Sequence, residues 1–246
     1  MPENPARGAV PAAERDNPSS ARKAVDQCPD RTYQNSGNQP LLRLLPRSPG
    51  LALDCGCGAG DNARILSSWG WEVVGVTISP KERQLAERYC SQVLLADLSS
   101  GLPPELRRKQ FDAVIMSHVI EHLVDPKPLL RDAAAALARG GVLAVAVPNA
   151  LTYPVRFDFL RGRFEYTEAG ILDSTHVRFY TFTSGKALLE SCGWRLASAS
   201  AYGAFPLWKL RRVLPPVLVR RINEWACKAS PGLFGTQCLY IASPHS

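Results

Sequence analysis

Between Leu51 and Val147 the chain repeats one pattern: a short, almost unbroken apolar run, then a longer stretch that mixes apolar and polar positions. The runs Leu51–Cys55, Glu72–Thr77, Gln92–Ala96, Phe111–Ser117 and Val142–Val147 predict strands. Asp61–Trp69, Pro80–Cys90 and Pro126–Arg139 predict the helices between them. Pro80 suits a first helical turn with Ser79 as N-cap, and Gly140-Gly141 suits a helix C-terminus. Runs such as FDAVIM and VLAVAV, apolar at nearly every position, belong to strands covered on both faces. Strand–helix alternation of this kind makes right-handed βαβ units and a parallel sheet. After Pro148 the rhythm breaks. Residues 149–182 read as an inserted cap on the substrate side, followed by a helix at Thr183–Cys192 and a strand at Trp194–Ala201. Residues 206–229 read as helical and basic, broken at Pro215-Pro216, and Gln237–Ala242 as a last strand. A short helix is expected around Leu41–Leu45. The expected fold is therefore α/β, Rossmann-like and doubly wound: a mostly parallel seven-stranded sheet with an inserted cap and a C-terminal helical segment. Residues 31–246 form this domain, and residues 1–30, poor in large apolar side chains, form a disordered tail.

Composition narrows the function classes. Seven cysteines, an odd number without a CxxC pair, speak against a disulfide framework or zinc knuckle and fit a reducing cytoplasm. The first twenty residues lack the apolar core of a signal peptide, and no apolar run reaches the roughly 18 residues of a membrane span. The net charge of +7 is uneven: residues 205–246 hold six basic residues against Glu224 alone. Neither interleaved aromatics nor a nucleic-acid module accompanies that patch, so nucleic acid is not the expected partner. A solvated basic face, an anionic substrate and peripheral contact with a membrane remain open.

The chemistry begins at Leu53-Asp-Cys-Gly-Cys-Gly-Ala-Gly60, where a buried strand meets a helix. Glycines at 56, 58 and 60 permit positive φ and close approach of backbone to ligand. The loop lies at the carboxyl end of the first strand, where open α/β sheets bind ligands. The spacing G-x-G-x-G differs from the G-x-G-x-x-G of dinucleotide enzymes. Asp54, just before the first glycine, can accept bonds from the loop and face an ammonium group. The segment closely resembles the first motif of class I S-adenosylmethionine (SAM)-dependent methyltransferases. The resemblance continues in order through EVVGVTIS, LLADL, FDAVIMSHVIEHL and the turn before VLAVAVPN, over roughly residues 41–200. It implies that Asp54, Gly56, Gly58 and Gly60 hold the methionine part of SAM, that Asp97 bonds the adenine amino group, and that Ser117 and His118 line the cofactor. One position departs from the family: the second strand ends in Thr77 where an acid usually binds both ribose hydroxyls. A hydroxyl makes one such bond, so an aspartate there is expected to strengthen binding by about 1 kcal/mol. The cyclopropane fatty acid synthase branch shows a similar Val-Thr-Leu-Ser segment.

Only four histidines occur: His118, His122, His176 and His245. On a helical turn His118, Glu121 and His122 share a face. An inverted zinc-peptidase motif has this spacing but needs a long helix, and Asp125-Pro126 follows at once. The stretch is similar to ubiquinone-biosynthesis O-methyltransferases, in which Glu-x-x-Glu-His binds a divalent ion. The resemblance implies Glu121 and His122 as metal ligands here, with His118 in the first Glu position. His176 lies in the insertion, in a His-x-Arg-Phe segment similar to that of small-molecule methyltransferases from polysaccharide and lipid-sugar clusters. Methyl transfer from a sulfonium needs alignment above all, and a base only when the nucleophile carries a proton. The reading is SAM-dependent O-methylation of a small or lipid-linked hydroxyl compound, with His118, His122 and His176 as candidate catalytic bases. N- or C-methylation, and a non-catalytic SAM-binding partner protein, stay open.

Overall fold

In a computed structural model, residues 36–207 and 212–245 are described. The expected tail, residues 1–30, and the part of the basic segment from Trp208 to Arg211 lie outside them. The strands are β1 (Leu51–Cys55), β2 (Glu72–Thr77), β3 (Gln92–Leu95), β4 (Phe111–Ser117), β5 (Leu137–Pro148), β6 (Trp194–Gly203) and β7 (Gly235–Pro244). They form one sheet in the order β3-β2-β1-β4-β5-β7-β6. The first five are parallel, and β7 runs antiparallel to both β5 and β6. The sequence thus anticipated the fold class.

Side-chain alternation divides the core in two. On β4, Val114 and Met116 join one buried cluster with Leu53, Val74 and Val145. Their neighbours Ala113 and Ile115 join the other with Ala52, Val73 and Ala144. Because every strand residue faces one of two covered sides, the central strands must be apolar throughout. The covering helices in the first half are α1 (Gln39–Leu42), α2 (Asp61–Ser68), α3 (Pro80–Ala86), α4 (Pro104–Arg107) and α5 (Lys127–Ala136). Ser79 caps α3 as expected, its hydroxyl accepting from the Glu82 amide at 3.4 Å, with Pro80 opening the helix. The chain crosses from β3 back to β4 beside β1, so the ends of β1 and β4 diverge into a crevice.

One expectation needs correction. The helix expected at Pro126–Arg139 stops at Ala136, and Gly140-Gly141 is no helix cap but part of β5. Leu137 pairs with Phe111, and the register shifts before Ala113. A Cβ at Gly141 would lie 2.7 Å from the Phe111 carbonyl oxygen, so a glycine lets the bulged strand pass. As expected, a helix follows Pro215-Pro216. Pro215 is the N-cap of α8 (Pro216–Ala229), and the prolines supply the fixed φ of a first turn. The insertion holds α6 (Tyr153–Leu160). The chain then continues through α7 (Phe182–Ser191) and β6, and α9 (Pro231–Phe234) follows α8. Among the described residues no helix is long and apolar enough to cross a membrane.

Candidate active site

At the end of β1, Asp54 is fully buried. The loop amides were expected to bond it. Instead its Oδ1 accepts from the Asn62 side chain on α2 at 3.5 Å, and its Oδ2 is buried without a hydrogen-bond partner. Burial pushes its carboxyl up to about 7, with the Asn62 bond opposing. A buried carboxylate with an open oxygen is complementary to a cationic donor such as an ammonium group. The glycines are required by the protein itself. Gly60 caps α2 at φ +87°, where a Cβ would lie 2.9 Å from the Ala86 backbone, and Gly58 sits at φ +53°.

At the end of β2, Thr77 is buried and its hydroxyl donates to Glu82 Oε2 at 2.8 Å while accepting from the Ser79 amide at 3.2 Å. An acid thus stands beside the end of β2, five residues later in the first turn of α3. Sequence reasoning overlooked Glu82; its spacing of three from the N-cap Ser79 was the available signal. Asp97, the expected adenine contact, is exposed. Its carboxylate accepts from the Ser99 amide and hydroxyl, both at 2.8 Å, and so caps the following turn.

At the end of β4, His118 has φ +58°, the one positive-φ residue other than glycine among those described. Such strain is held only where the surroundings enforce it. Here they do: Nδ1 meets Glu121 Oε1 at 3.2 Å and Nε2 meets Gln237 Oε1 at 3.1 Å. Burial lowers the His118 pKa, but the Glu121 hydrogen bond and charge, with Gln237, outweigh it and leave it raised. With both ring nitrogens engaged by acceptors, His118 suits a positioning role better than that of a free base. A polar network continues from it. Gln237 accepts from Asn38 Nδ2 at 3.0 Å, and the same amide donates to Ser117 Oγ at 3.0 Å. Asn62 Oδ1 accepts from the Asn38 amide at 2.9 Å and so links back to Asp54. Asn38 and Gln237 stand 199 residues apart, and nothing in the sequence marked either.

The insertion is stitched onto the same loop. The amides of Val177 and Arg178 both donate to the Glu121 carbonyl at 3.0 Å, and Arg178 Nε donates to the Val124 carbonyl at 2.7 Å. This brings His176 against His122, their ring centroids 4.8 Å apart. His122 Nδ1 donates to the Thr175 carbonyl at 3.2 Å, and His176 Nδ1 to the Ile171 carbonyl at 3.0 Å. A carbonyl can only accept, so each Nδ1 carries the proton and each Nε2 keeps its lone pair when the ring is neutral. Burial pushes the His122 pKa down against the pull of the Glu121 charge, which favours the neutral base. Glu121 Oε2 is buried without a partner. Ligating atoms of Glu121, His122 and His176 lie within 4.8 Å of one another. The fold therefore brings His118, Glu121, His122 and His176 together at the end of β4, and leaves Asp97 on an exposed turn.

Known proteins agree with this architecture. A family model described as a methyltransferase domain matches residues 30–199. Trans-aconitate 2-methyltransferase of Methylobacterium radiotolerans is 30% identical over 130 residues, 50% of this chain and 48% of that one. A ubiquinone biosynthesis O-methyltransferase of Methylobacterium nodulans is 28% identical over 130 residues, 49% of each chain. An 18S rRNA (guanine-N(7))-methyltransferase of Schizosaccharomyces pombe is 33% identical over 99 residues, 39% of this chain and 36% of that one. The matched region thus spans about half or less of these relatives, and their names cover different acceptors. Among solved structures, a SAM-dependent methyltransferase from Archaeoglobus fulgidus superposes with TM-score 0.59 at 24% identity, over 82% of this chain and 90% of that one.

Proposed function

The chain belongs to the methyltransferase-domain family, and from that premise we propose that it transfers the methyl group of SAM to a hydroxyl of a small or lipid-linked acceptor. SAM supplies a methyl group already activated by its sulfonium. Asp54, with its open buried oxygen, would hold the ammonium of the methionine part, and Gly56, Gly58 and Gly60 would shape the loop around it. Glu82, presented beside Thr77, would take the ribose hydroxyls that a threonine alone serves poorly. Asp97 would meet the adenine amino group, at the cost of loosening its own turn. Ser117 and His118 would line the cofactor at the end of β4, with His118 locked by Glu121 and Gln237.

One observation carries the choice of a hydroxyl acceptor. Next to the crevice stands a neutral imidazole, His122, whose Nδ1 is tied to a carbonyl and whose Nε2 is left to accept a proton. A hydroxyl gains from a base as its proton leaves during methyl transfer, whereas an alkene carbon forms its new bond first and gives up a proton only from the cation that results. His176 would steady the His122 ring and line the acceptor side. The test is methyl transfer from labelled SAM to a panel of catechols, primary amines and unsaturated lipids. The reading expects label on oxygen. Label on nitrogen or carbon alone, or SAM binding without transfer to any member, would replace it.

The residues also fit a divalent cation. Glu121, His122 and His176 would hold it, since ligating atoms of two imidazoles and a carboxylate converge there. Such an ion would acidify the acceptor hydroxyl. Imidazole donors favour zinc-like or iron-like ions over magnesium. Ligation and base catalysis make exclusive claims on His122, and chelation distinguishes them. Activity lost in a strong chelator and restored by one ion assigns ligation; unchanged activity leaves His122 as the base.

A further inference from the structure

Away from the crevice, two elements expose apolar side chains that their own chain does not cover. Helix α8 buries Ala226 and Cys227 and leans on β6, with Val219 and Ile222 half-buried. Its outer face presents Val217, Leu218 and Trp225, the indole 67% exposed, together with Arg221 and Lys228. Glu224, the one acid on the helix, lies 3.7 Å from Arg220. Arg212, Arg221 and Lys228 form no ion pair among the described residues. On α6, Val155 is buried, and every residue from 156 to 170 is exposed. That stretch includes Phe157, Phe159 and Leu160, the last 85% exposed, and the Arg161 guanidinium lies 3.8 Å over the Phe157 ring.

Helix α9 ties the two elements together. Arg156 donates to the Gly232 carbonyl at 3.4 Å, Thr152 donates to the Leu233 carbonyl at 3.2 Å, and the Tyr153 and Phe234 rings lie 6.4 Å apart. From α6 a line of rings leads inward. Phe159 stacks on Phe164 at 5.1 Å, Phe164 and Phe179 are 6.4 Å apart, and Phe179 stands 6.4 Å from His176, which touches His122. The exposed apolar surface is therefore continuous with the site.

We propose that α8 and the exposed α6 segment form a docking surface for an anionic lipid bilayer. Exposed aliphatic and indole groups flanked by cations match an interface whose depth is apolar and whose rim is negative. A second copy of the chain would bring like charges together. A nucleic acid would engage the cations but leave Leu160, Val217 and Leu218 in water. A hydroxyl acceptor drawn from the bilayer would reach His122 along the ring line; that step rests on the acceptor reading above, whereas the docking itself does not.

Sedimentation of the full chain with vesicles tests docking without any assay of activity. At about 0.1 M salt the protein should sediment with phosphatidylcholine–phosphatidylglycerol vesicles and not with phosphatidylcholine alone. It should release at about 1 M salt, where the Debye length shrinks to ~3 Å. Changing Arg212, Arg221 and Lys228 together to Gln should weaken binding about fivefold per side chain. Changing Leu160 and Trp225 to Ser should weaken it while the dependence on anionic lipid persists. These are surface positions, and unchanged circular dichroism would verify the fold. No sedimentation with anionic vesicles at low salt overturns the proposal, as does wild-type binding by both variants. Transfer of the protein from vesicles to short duplex DNA at equal phosphate would assign the surface to nucleic acid. A concentration-dependent dimer abolished by the Leu160/Trp225 change would assign it to self-association.

Discussion

The two sides of the crevice are built differently. On the cofactor side, Asp54, the glycine loop, Thr77 and Glu82 come from strand ends and first helical turns within about thirty residues, and each is placed by its own neighbours. On the acceptor side, His122 leans on the Thr175 carbonyl across 53 residues, and His118, between the two sides, leans on Gln237 across 119. A site built locally keeps its shape when distant parts of the chain vary. A site built from long-range contacts can be retuned by an insertion without disturbing the first. The same sheet can therefore retain a cofactor loop while its acceptor side changes, as the different acceptors named for the relatives suggest.

Changes on the cofactor side should weaken or abolish SAM binding, and those on the acceptor side should spare it. The largest effect is expected from Gly58→Val. A β-branched residue at φ +53° carries a strain of about 1–3 kcal/mol and fills the loop, so SAM binding should vanish in calorimetry of a folded variant. His122→Gln comes next, on the other side: kcat should fall roughly 10²–10⁴-fold with SAM affinity unchanged. The pH profile sharpens this. Burial lowers the His122 pKa, so at saturating SAM, with Asp54 held ionised by the ammonium, kcat should already have reached its plateau below the ordinary histidine value of ~6.5. A limb rising well above it would point to another base. The smallest effects are expected at the end of β2. Thr77→Asp, expected from the sequence alone to strengthen binding, should instead weaken it by about 1–2 kcal/mol, because Glu82 already stands 2.8 Å away and two carboxylates there repel. Glu82→Gln should weaken SAM binding by about 1 kcal/mol and leave kcat at saturation unchanged.

The contrast also decides what the sequence could reveal. The strands of the parallel sheet were legible because burial on both faces demands apolar runs, and the Asp54 loop because its glycines mark positive φ. The β5 bulge was not legible: glycines after a helix read as its cap, and only the Phe111–Leu137 pairing makes them part of a strand. His118, Glu121 and His122 were visible as a cluster. That both ring nitrogens of His118 are engaged while His122 keeps Nε2 for a proton depends on Gln237 and Thr175, which no local pattern connects to them.

Calorimetric titration of SAM into wild-type protein and Asp54→Asn, at about pH 6 and about pH 8, tests whether Asp54 holds the SAM ammonium. Asp54 ionises near 7 in the folded protein and near 3.8 when exposed. Its raised value costs the ligand-free fold stability as pH rises through that window, up to about 4 kcal/mol. An ammonium group binding there favours the ionised form. Wild-type affinity should therefore increase from pH 6 to pH 8, with a proton released on binding at pH 6. Asp54→Asn should lose the affinity and its pH dependence while gaining thermal stability at pH 8. A folded Asp54→Asn that binds SAM as tightly as the wild type at both pH values would mean that the buried carboxylate does not hold the ammonium.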